Sequence, residues 1–143
     1  MNPFTKLQNL NKFLKTLAIH DLNCRTHFTT ANADTTSRLD KELGDQLVLA
    51  RPEMDGSDPT NATISTVFFV LARDLGPGKT PVKEDEQYER LLSKAATVFY
   101  HLKNATEDGC HLLAGLEISR YSVTPETSIF GSWVGWSVEI VFE

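Results

Sequence analysis

Five residues could bring metal or nucleophile chemistry to this chain: His20, Cys24, His27, Cys110 and His111. Imidazole nitrogen and thiolate sulfur are the donors of structural zinc sites, so four of these could close a tetrahedral shell. Their spacing matches no finger or knuckle. A strand over residues 24–30 would also send Cys24 and His27 to opposite faces, which breaks the set. Isolated cysteines are more often buried for packing. No metal and no cofactor is therefore expected, and a small zinc-containing protein or enzyme stands as a third choice.

Gly76-Pro77-Gly78-Lys79-Thr80 lies between a strand and a helix, as a phosphate-binding loop does. That motif needs a glycine five residues before Gly78, and Arg73 stands there. Pro81 argues further against Lys79 and Thr80 opening a helix whose N–H groups would hold phosphate. Ser132, in Gly131-Ser132-Trp133, lacks the flanking pattern of a nucleophile elbow. Cys110 and His111 are chain neighbours, and neighbours on a strand point apart. Asp55 with Asp58, and Glu84-Asp85-Glu86, read as a turn and a helix start rather than as paired catalytic acids. With no nucleophile, base and orienter assembled, no enzyme is expected. Trp136 fits the inward face of a terminal strand. Trp133 is out of phase with that face and suits an interface as well as a loop packing role.

The elements that would position these residues follow from periodicity. Asn2 and Pro3 can cap and open a first helix in which Leu7, Leu10, Leu14 and Leu17 recur at helical steps. Residues 24–30 suit a short strand. Residues 31–42 are polar and aperiodic and read as a loop. Residues 46–50 form a strand ended by Pro52. Turn formers fill residues 53–61, and residues 63–72 form the strongest strand, apolar on both faces in its second half. A helix starts near Glu84, with Tyr88, Leu91, Leu92, Ala95, Val98, Phe99 and Leu102 on one face and Glu86 paired with Arg90. Gly109 is its expected terminator. Residues 111–123 and 132–143 read as a closing hairpin, the second strand turning Trp136, Val138, Ile140 and Phe142 one way.

At 143 residues, 41% hydrophobic and 23% charged, the chain has the make-up of one globular domain, residues 1–143. The net charge of -5 argues against a nucleic-acid binder. No apolar run approaches the roughly 20 residues that span a bilayer, and the N-terminus does not read as a signal peptide. The expected location is the cytoplasm. The expected fold is α+β: a mostly antiparallel sheet of four to five strands with two packed helices, in the order α-(β)-β-β-α-β-β.

That order, with the helix of residues 84–103 and the closing strand Gly135-Trp136-Ser137-Val138-Glu139-Ile140-Val141-Phe142-Glu143, resembles the tail terminator (tail-completion) proteins of long-tailed bacteriophages and prophages. The resemblance implies a structural virion-assembly protein made in the bacterial cytoplasm. Its subunits would form a ring, typically a hexamer, that ends the tail tube and meets the head connector, without direct contact to nucleic acid or membrane. Ring closure needs a head-to-tail interface. Residues 51–61 and 123–133 are the candidates, with Met54, Asp55, Asp58, Phe130 and Trp133 as contact residues. The alternative is a small α+β regulatory module, ferredoxin-like or related, that binds a ligand or a protein.

Overall fold

A computed structural model describes residues 2–29, 32–58, 60–108 and 111–143. The described residues form an α+β fold built on a mixed six-stranded sheet with three α-helices. Helix α1 (Pro3–Lys15) opens as its sequence dictates. Asn2 Oδ1 accepts the Thr5 N–H at 2.9 Å, Pro3 takes the first turn, and Leu10 and Leu14 are buried. Strand β1 (Arg25–Thr29) follows and runs parallel to β2 (Gln46–Ala50). A parallel pair needs a crossover, and helix α2 (Asn32–Leu39) supplies it.

That helix corrects the expectation of a loop over residues 31–42 and of only two helices. Its sequence, NADTTSRL, holds just two apolar residues, Ala33 and Leu39, too few to draw an apolar stripe. Tertiary contacts hold it instead. Leu39 is fully buried, and Thr35 Oγ1 shares a 2.8 Å hydrogen bond with Thr29 Oγ1. Eight residues are too few for a helix to stand alone in water.

Strand β4 (Ala62–Arg73) pairs antiparallel with β2 through its second half. Its first half pairs with β3 (Glu53–Gly56), so the expected turn segment is itself partly a strand and brings the strand number to six. On its other side β4 pairs with β6 (Trp133–Phe142), and β6 pairs with β5 (Ile118–Ile129), giving the order β1-β2-β4-β6-β5.

Helix α3 (Pro81–Glu107) begins three residues before the expected Glu84. Thr80 is its N-cap, accepting the Lys83 N–H at 3.3 Å, and Pro81 is its first residue. Proline there lacks only a donor that the first turn leaves unpaired anyway. Gly109 lies outside the described residues. The strand expected from His111 also starts later: residues His111–Leu113 form a 3-10 turn and β5 begins at Ile118. Leu113 and Leu116 are buried in that turn segment, which takes them out of any sheet alternation.

Two apolar clusters lie on opposite faces of the sheet. The larger one packs Leu10 and Leu14 of α1 and Leu91, Val98 and Leu102 of α3 against Leu47, Phe68, Val70, Val138 and Ile140. The smaller one joins Leu39 of α2 to Val48, Leu71 and Trp133. β4 therefore contributes Val70 to one face and Leu71 to the other, as its doubly apolar second half demands. No helix among the described residues is long and apolar enough to cross a membrane.

Candidate interaction surface

Among the described residues, strand β5 is the last strand of the sheet and is paired only with β6. Its outer edge leaves backbone N–H and C=O groups unpaired, which is how a strand recruits another chain. Pro125, opposite Trp136, offers no N–H and interrupts that edge near one end. Tyr121 and Val123 stand opposite Ile140 and Val138, so they share the face on which α3 packs. The helix lies mainly over β4 and β6 and reaches β5 through Tyr88, whose hydroxyl donates to the Glu126 carbonyl at 2.9 Å, and through Phe99, which touches Tyr121. A groove remains between them.

The groove is apolar. Leu92, Ala96 and Tyr100 of α3 form one wall and Tyr121 and Val123 the other, over Val138, around a cavity of about 140 Å3. The Tyr121 ring rests on Phe99, 4.6 Å between centroids. Tyr100 and Tyr121 are still 57% and 59% exposed, and Leu92 and Val123 are exposed beside them. Four large apolar side chains gathered along an open sheet edge mark a surface that water covers poorly. Leu92, a member of the expected core stripe, faces outward: it stands about 100° round the helix from the buried Leu91 and lines the groove beside β5. Nothing in the local pattern identifies Tyr121 and Val123 as uncovered, because that depends on where α3 ends up.

Beyond β1 and β2 lies a polar clasp. Arg90 donates to both carboxylate oxygens of Asp45, at 2.9 and 3.0 Å, and Lys94 adds a third bond at 2.6 Å. Arg90 thus reaches across to the loop before β2 rather than serving the expected pair with Glu86. Burial pushes the Asp45 carboxyl up, but the hydrogen bonds from Arg90 and Lys94 outweigh it and hold the group below its ordinary value. Beside it, burial pushes the Cys24 thiol up to about 11. Cys24 therefore stays protonated at neutral pH and is a poor nucleophile.

The remaining residues singled out in the sequence are scattered. His20 is exposed and lies 3.4 Å from Asp21. His27 is buried, its Nε2 2.7 Å from Gln46 Oε1. Cys24 packs against the larger cluster, while His27 pairs with Val48 in register on the opposite face. Cys110 and the side chain of His111 lie outside the described residues. Among the described residues no three His, Cys, Asp or Glu side chains come together as a metal site. Lys79 is engaged by Asp74 and Glu84.

Of the five expected contact residues, Asp55 is exposed on β3 and Met54 packs partly on the larger cluster. Asp58 accepts hydrogen bonds from Thr60 and Asn61, which lower its pKa and organise the hairpin turn. Phe130 is half-buried edge-on against Phe69, 5.2 Å away. Trp133 is 1% exposed, beneath the Arg73 guanidinium at 4.5 Å, and presents nothing to a partner. No family model matches the chain, and no curated protein is similar enough to align with it.

Proposed function

We propose that this chain is a non-enzymatic assembly subunit that works as a closed ring, in the manner of the tail terminator proteins it resembles. The ring would end a phage tail tube and meet the head connector, with six subunits as the resemblance implies. One observation carries the reading: the sheet ends at β5 in a twelve-residue edge with an apolar groove beside it, and its opposite edge is unlike it. That far edge is β1, five residues long, with the polar Asp45 clasp at its start. Unlike edges suit a head-to-tail contact, and repeated head-to-tail contacts close into rings when the rotation per subunit allows.

Light scattering behind a sizing column, at several protein concentrations and two salt levels, tests the reading. A discrete oligomer, or a concentration-dependent approach to one, is the expected result. A chain that remains monomeric up to about millimolar concentration, where contacts of only about 4 kcal/mol would already register, removes the reading.

A further inference from the structure

The groove needs an occupant, and the chain carries a fitting one on the opposite flank of α3. Leu43 is 83% exposed in the loop between α2 and β2. A single exposed leucine is ordinary, but this loop is held unusually firmly. Arg73 donates to the carbonyls of Asp40 and Glu42, Arg25 pairs with Glu42, Gln46 donates to the Leu43 carbonyl, and Asp45 is clasped by Arg90 and Lys94. A preorganised apolar knob loses little entropy on docking.

We infer that Leu43 of one copy seats in the α3–β5 groove of the next copy, between Leu92, Tyr100 and Tyr121. Charge supports this occupant. Lys41, two residues before the knob, is exposed with no ion-pair partner among the described residues. Asp85 and Glu89 lie on the same flank of α3 as Leu92, two turns and one turn before it, and are likewise exposed and unpaired among the described residues. Seating Leu43 brings Lys41 toward that acidic pair. Geometry sets the direction of assembly. Arg90 and Lys94 face the loop that carries Leu43, and Leu92, Ala96 and Tyr100 face β5. Knob and groove therefore lie on opposite flanks of one helix, so the contact is head-to-tail. This inference rests on the ring reading and specifies its interface.

Two variants test it, each at an exposed position that leaves the core intact: Leu43→Asp removes the knob and Ala96→Arg fills the groove. Each alone should associate about tenfold or more weakly than the parent. Mixed one to one, they should form a dimer and nothing larger, because the intact knob of Ala96→Arg meets the intact groove of Leu43→Asp. Wild-type-like association of Leu43→Asp into a discrete ring overturns the inference while leaving the ring standing; wild-type-like association into a groove-to-groove two-fold dimer overturns both. Two monomeric variants that do not combine also overturn it. A mixture that dimerises, with a parent chain that grows into open filaments, upholds the contact and sinks the closed ring. A parent chain that never associates sinks both.

Discussion

Asp45 concentrates much of the long-range electrostatics in one carboxylate, since Arg90 and Lys94 both bind it and neither is its sequence neighbour. Its pKa is depressed in the folded chain, so it stabilises the fold above its unfolded value of about 3.9 and loses that contribution as pH falls through the folded value. Denaturant stability should be level from about pH 7 to 5 and decline below about 4, with a shallower decline in Asp45→Asn. That variant should also cost about 1–2 kcal/mol at neutral pH, because two cations lose their shared acceptor near the surface. Gly135 is the other sensitive position. Its φ of 152° lies outside the reach of L side chains, and a Cβ there would overlap the Val70 carbonyl oxygen on β4. Gly135→Ala should lose about 3 kcal/mol or more in urea unfolding, while Gly78→Ala, in open space, should stay within about 0.5 kcal/mol.

At the scale of elements, α2 is the piece whose existence depends most on its neighbours. Arg73, at the end of β4, donates to the carbonyls of Leu39, Asp40 and Glu42 and stacks over Trp133, so one side chain both caps the helix and roofs the smaller cluster. Arg73→Ala should cost about 1.5–3 kcal/mol. Hydrogen exchange separates this from general loosening: amides of α2 should lose protection while those of α3 keep theirs. The legibility of each element follows the same logic. α1, α3, β4 and β6 carry caps or clean periods and were readable in outline. Among its described side chains α2 buries Thr35 and Leu39, and so short and polar a stretch shows no run of apolar residues. β3 is masked by a run of turn formers, and the acidic run Glu84-Asp85-Glu86 draws the expected start of α3 three residues past its true first residue, Pro81.

For the whole molecule, the two unlike sheet edges govern how copies can meet, and scattering and mixing of the variants read that out. Local sequence settled the α+β class, the main helices and the strands that build the core, because caps and the 3.6- and 2-residue periods act over a few residues. Which strands become neighbours, that β1 lies parallel to β2, and that Trp133 ends buried under Arg73 were decided by contacts between distant segments. The same holds for the candidate surface. Tyr121 and Val123 alternate like any buried strand residues, and they stay largely uncovered because α3 packs mainly over β4 and β6 and meets β5 with little more than Tyr88 and Phe99. Exposure of an apolar side chain is a property of what packs beside it, and that neighbour is chosen by the tertiary fold.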